Sequence, residues 1–134
     1  VGSEMCIRDS DKAGKLAALQ IVPSLPETYT GQGQASAVLL SPNEEFLYET
    51  TRIHESVAIY RVNKETGFLT NIGFTFVLGK TPRFFTFMPN GKQLLIANED
   101  SDTLQLFDID ADYGQVTFAG VTVETGSPTS VVFK

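Results

Sequence analysis

Tryptophan is absent from this 134-residue chain, and cysteine and histidine each occur once. One cysteine cannot close an internal disulfide, and one cysteine with one histidine cannot build a Cys/His metal site. A single histidine also leaves little room for nucleophile–base chemistry. Basic residues are scarce, with 10 Lys and Arg against 16 Asp and Glu and a net charge of −6. A general nucleic-acid binder shows a basic stripe, and this chain has none. Long apolar runs are missing too: the best, Phe74 to Leu78, is a few residues long, against the ~20 that a membrane-spanning helix needs. The expectation is a chain with no nucleic-acid partner, no membrane span, no metal and no cofactor. What is present is an apolar fraction of 42%, enough to exclude wholesale disorder and to bury the core of one domain.

Residues 1–10 read VGSEMCIRDS, a polar stretch with neither a strand nor a helix period. The string matches the translation of a transposase adapter used in sequencing libraries, so these residues, Cys6 included, are set apart from the domain at 11–134. The alternative is an ordinary disordered terminus. On the adapter reading the gene was cut on its 5′ side, and the lack of a signal peptide says nothing about compartment.

The chain repeats itself. Pro42-Asn43 recurs as Pro89-Asn90, an offset of 47 residues, and the same offset aligns Leu47 with Leu94, Ile59 with Leu106, Tyr60 with Phe107 and Gly67 with Gly114 without a gap. A partial copy precedes it, Gly14-Lys15-Leu16-Ala17 resembling Gly67-Phe68-Leu69-Thr70, and Pro128 to Phe133 resembles Pro82 to Phe87 with one residue deleted. Each unit reads as four short strands separated by Pro, Asn and Gly turns. The predicted strands are 37–40, 46–50, 57–62 and 69–77 in the first unit, and 84–87, 94–98, 103–109 and 116–123 in the second. Lys12 to Leu19 has some helical character, but its match to the fourth-strand copies predicts strand. Four strands per ~40–50 residues is the period of a β-propeller blade, although the WD and Kelch signatures are missing. The expected fold is all-β: a partial propeller with the end of one blade at 14–24, blades at 36–77 and 83–124, and the opening strand of a further blade at 128–134. A ring takes typically 4–8 blades, so 11–134 is expected to be inactive alone and to associate through open blade faces.

The segments SAVLLSPNEEFLYETTR (36–52), GKTPRFFTFMPNGKQLLIANEDSD (79–102) and SPTSVVF (127–133) resemble the C-terminal third of the seven-bladed lactonase family. That family includes propeller-type 6-phosphogluconolactonases and carboxymuconate cyclases. The strings YETT and LIAN also resemble the YVTN-type repeat of propellers without known enzyme activity. The resemblance implies a cytoplasmic lactone hydrolase acting on a small-molecule lactone, most simply 6-phosphogluconolactone, with a metal-free site at one mouth of the central channel. The alternatives are a carboxymuconate cyclase or other lactonase, and a non-catalytic binding module. Of the family's His, Arg, Glu and Arg set, only the last carries over, onto Arg52. The others, including the base, belong to N-terminal blades of the same chain that precede these residues. Arg83 matches a recurring Pro-Arg and Asn98 the family's asparagine, so both join the substrate-binding candidates. Glu99 is a candidate too, but it stands where relatives usually carry glutamine. Glu49-Thr50-Thr51 likewise departs from the small and amide residues usual before Arg52.

The start of a first strand and the end of an antiparallel second strand lie at the same end of a blade, and Glu99 is 47 residues after Arg52. Arg52, Arg83 and Glu99 are therefore expected at one end of the sheets, where arginine forks bind phosphate or carboxylate and stabilise charge on a lactone carbonyl. The alternative is a structural inter-blade ion pair between Arg52 and Glu99. His54 reads as a solvated loop residue between second and third strands, and otherwise as a proton shuttle. Asp108, Asp110, Asp112 and Gly114 imitate a calcium loop, but its sixth and twelfth places are Tyr113 and Ala119, so they read as a charged turn. Gly31-Gln32-Gly33 precedes a strand and opens no helix, so it reads as a connecting loop.

Overall fold

The computed structural model describes residues 4–134. Its strands in chain order are β1 Glu4–Ser10, β2 Leu16–Pro23, β3 Gln34–Leu40, β4 Phe46–Arg52, β5 Ser56–Val62, β6 Leu69–Phe76, β7 Pro82–Phe87, β8 Gln93–Asn98, β9 Thr103–Ile109 and β10 Val116–Glu124. They form a two-stranded sheet β1-β2 and two four-stranded antiparallel meanders, β3-β4-β5-β6 and β7-β8-β9-β10. The meanders are the two predicted units, and β5 and β9 coincide under the 47-residue offset. β3 and β7 start earlier than predicted. The reason is a bulge in each first strand, between Ala35 and Val38 and between Pro82 and Phe84, which breaks the two-residue period that the pattern reading follows.

The core lies between the sheets. β5 is a continuous apolar run whose alternate side chains enter different interfaces. Val57 and Ile59 join Phe46, Tyr48 and Val77 against Phe85, Leu94, Ile96, Phe107 and Val116 of the second meander. Ala58, Tyr60 and Leu69 close instead on Val22 of β2, with Met5 and Ile7 of β1 packed beside them. A strand buried on both faces reads as unbroken hydrophobic sequence, as β5 does. The meanders approach each other through β3, β4 and β7. Large side chains remain exposed on the outward faces, among them Val38, Leu40, Phe76, Val121 and Val123.

Two terminal expectations differ from what is seen. Glu4–Ser10 pairs with β2 in an antiparallel ladder, although its sequence shows no strand period. Met5 and Ile7 alternate inward, but two such positions are too few to register in the sequence. The ladder does not bear on the origin of these residues, and Val1, Gly2 and Ser3 lie outside the described residues. Pro128–Lys134 carries no ladder, because none of the described residues lies alongside as a partner.

Candidate functional site

Arg52 closes β4 opposite Gln34 at the start of β3, and Asn98 closes β8 opposite Pro82 at the start of β7. Both strand ends therefore lie at the same edge of their sheets, with Arg83 and Glu99 one residue further on. Arg83 donates from Nη1 to Glu99 Oε2 at 3.2 Å, a half-exposed ion pair, and pairs of this kind contribute little to stability. Arg52 makes no ion pair among the described residues. It is half-buried, and its Nε is buried without a hydrogen-bond partner. The alternative reading, an inter-blade Arg52–Glu99 pair, thus gives way to Arg83–Glu99. The physical reason is reach: Glu99 and Arg83 stand at the facing ends of two hydrogen-bonded strands of one sheet, whereas Arg52 belongs to the other.

Asn98 is fully buried. Its amide donates to Gln105 Oε1 at 3.1 Å and Thr103 Oγ1 at 3.3 Å, and its Oδ1 has no partner. Gln105 Oε1 also accepts from the Leu78 N–H at 3.2 Å, so the two amides hold up the connector from β6 to β7. At Gly79 that connector passes so close that a Cβ would overlap the Asn98 amide. Among the described residues, the Asn98 side chain makes no hydrogen bond to Arg83, Glu99 or Arg52; it lies beneath the connector.

His54 differs from the solvated residue expected. It is buried, its ring 4.5 Å from Tyr29 and 5.1 Å from Phe76 by centroids, and Nδ1 lies 2.6 Å from Ser56 Oγ. Burial lowers its pKa, the Glu55 carboxylate opposing. Aromatic partners from the loop before β3 and from β6 cover it, and local sequence shows neither. Of the acidic run, Asp108 lies on β9, and Asp110 to Asp112 form the expected charged turn: Asp110 Oδ1 accepts from the N–H groups of Asp112 and Tyr113, as Asn63 Oδ1 does from Glu65 and Thr66.

Sequence reasoning marks Glu49 only as a departure from the family pattern and gives it no role. It is buried on β4, its Oε2 accepting from Ser24 Oγ at 2.8 Å and lying 3.2 Å from the Tyr60 hydroxyl, while Oε1 has no partner. The Tyr60 hydroxyl shares its proton between Glu49 Oε2 and the Pro23 carbonyl, the latter at 2.8 Å. Burial raises the Glu49 pKa, the Ser24 and Tyr60 contacts opposing. A raised folded-state pKa stabilises the fold fully below the unfolded value, and that contribution is lost as pH rises through the folded value. Wild-type melting temperature should therefore fall more than that of Glu49→Gln as pH climbs from about 4.5 to neutrality. Parallel pH profiles of melting for the two proteins would refute the assignment. The signal in the sequence was a glutamate inside an otherwise apolar and hydroxyl-bearing strand.

A family profile described as lactonase, 7-bladed beta-propeller, matches residues 3–133. The chain is 36% identical over 108 residues to an uncharacterised protein of Lactococcus lactis, covering 81% of this chain and 32% of that protein. It is 32% identical over 121 residues to the 6-phosphogluconolactonase of Bacillus subtilis, covering 90% and 35%. The periplasmic gluconolactonase of Pseudomonas aeruginosa superposes with a TM-score of 0.91 at 31% identity, over 96% of this chain and 36% of that one. The chain thus spans about a third of the length of the relatives it matches.

Proposed function

The chain belongs to the seven-bladed β-propeller lactonase family, and on that premise we propose that the complete protein hydrolyses a sugar lactone, 6-phosphogluconolactone in the first instance. Water adds to the ester carbonyl, the ring C–O bond breaks, and 6-phosphogluconate leaves with release of a proton. The base that activates the water comes from other blades of the complete protein. Arg52 holds the phosphate or the oxygen that gains charge, and Arg83, balanced by Glu99, supports the same end. The observation that carries this reading is the half-buried Arg52, which has no ion-pair partner among the described residues although it closes β4 at the end of the sheets where Arg83 and Glu99 lie. No carboxylate among the described residues balances its charge, so the guanidinium is free to pair with an anionic ligand. A cytoplasmic setting accompanies it, because a doubly charged phosphate ester does not cross a bilayer unaided.

Similarity to a periplasmic gluconolactonase favours a second reading, an unphosphorylated lactone as substrate. Hydrolysis rates of the complete protein on 6-phosphogluconolactone and on gluconolactone decide between them. The first reading expects the phosphorylated lactone to be preferred by at least about tenfold in kcat/KM, the worth of one charged hydrogen bond. Equal rates, or preference for gluconolactone, favour the second, and no hydrolysis of either sinks both.

A further inference from the structure

The turn that follows Arg52 is hydrogen-bonded to the connector between the two blades. After β4 the chain reverses through Ile53, His54 and Glu55, with Ile53 at φ 73° and Glu55 at φ 54°, a left-handed conformation that β-branched residues resist. His54, wedged between Tyr29 and Phe76, holds the reversal. The Glu55 carbonyl accepts from the Val77 N–H at 2.9 Å, and its carboxylate accepts from the Thr81 N–H at 2.7 Å. Thr81 is itself left-handed, at φ 58°. Its carbonyl accepts from the Glu99 N–H at 2.9 Å, and its hydroxyl bonds Asp100. Pro82 and Arg83 follow directly. Two hydrogen bonds through Thr81 therefore connect the turn beside Arg52 with the backbone that carries Arg83 and Glu99.

The arrangement recurs one repeat later. Asp102, at φ 54°, stands 47 residues after Glu55. Its carbonyl accepts from the Thr125 N–H and its Oδ1 from the Ser127 N–H, each at 2.7 Å. Ser127 is left-handed and precedes Pro128, as Thr81 precedes Pro82. The residue after that proline is Thr129, so the second latch lacks an arginine to place.

We propose that Glu55 is a positioning residue: its carboxylate ties Thr81 to the turn after Arg52 and so sets the spacing between Arg52 on one blade and the Arg83–Glu99 pair on the next. This rests on the lactonase reading. An anion gripped from two blades is sensitive to that spacing, since a displacement of about 1 Å can cost on the order of a hundredfold in rate. The second latch closes a shorter span, Thr125 to Ser127 against Val77 to Thr81, so the shorter acid suits it and Glu55 needs its full length.

The test is lactone kinetics of the complete protein and three variants. Glu55→Ala should lower kcat/KM by about 10- to 100-fold, while Glu55→Gln, which keeps an accepting oxygen at the same reach, and Asp102→Ala should stay within about threefold of wild type. Wild-type kinetics in Glu55→Ala, or equal losses in Glu55→Ala and Asp102→Ala, would overturn the proposal and leave the lactonase reading standing. Lactone hydrolysis absent from wild type would instead sink the functional reading, and the positioning role with it. Should Glu55→Ala fail to fold, amide exchange in wild type decides. Binding of 6-phosphogluconate should slow exchange of the Thr81 and Glu99 amides, and unchanged exchange in the presence of bound 6-phosphogluconate would count against the latch.

Discussion

Replacing Arg52 by alanine in the complete protein is expected to lower lactone turnover by about 10²–10³-fold, the loss typical when one donor to a developing oxyanion is removed. The size of the expected effect follows from how the two arginines are occupied. Arg83 already faces Glu99 at 3.2 Å, so much of its charge is balanced before any ligand arrives. Arg52 has no carboxylate partner among the described residues, and its Nε is buried without an acceptor. Its field is therefore available to a ligand, and partial burial strengthens it by removing competing water. Arg83→Ala should cost less than Arg52→Ala, and Arg52→Lys should recover little, because an ammonium lacks the planar fork that binds an anion through two parallel bonds. Steady-state rates of the three variants measure this. Turnover of Arg52→Ala at the wild-type level would remove Arg52 from the site.

Gly114→Ala is expected to destabilise the fold by about 3 kcal/mol or more, combining a left-handed backbone with overpacking. Gly114 turns at φ 73° between β9 and β10 and lies against the first meander, where a Cβ would overlap the Phe46 ring. Its carbonyl also accepts from Tyr48 Oη at 3.0 Å, so the chain has little freedom to back away. Gly67 provides the comparison. It occupies the same place one repeat earlier with φ 72°, but a Cβ there would meet nothing within 4 Å. Gly67→Ala should therefore cost only the backbone share, about 1 kcal/mol. Urea unfolding followed by far-UV circular dichroism separates the two, and equal midpoints would show that the Phe46 contact does not govern this turn.

The architecture was legible because its determinants are local and periodic. Alternation and turn residues marked the strands of both meanders, and the 47-residue offset made each a check on the other. Local pattern failed where geometry departs from the period, as at the bulges that open β3 and β7. The candidate site was legible only in outline. Antiparallel pairing alone sends Arg52, Arg83 and Glu99 to one edge, and that needs nothing beyond strand order.

Strand order, blade identity and the edge that carries the charged residues were thus decided by the amino-acid sequence itself, through the two-residue period of the strands. Partner choice was decided only by the tertiary structure. That Glu99 takes Arg83, that Glu49 and His54 are buried, that Asn98 supports a connector and that Glu55 reaches Thr81 all depend on residues brought together from different strands and, in several cases, different sheets. A side chain's charge state and bonding follow from the dielectric and donors around it, and in this molecule those surroundings are assembled where one blade meets the next.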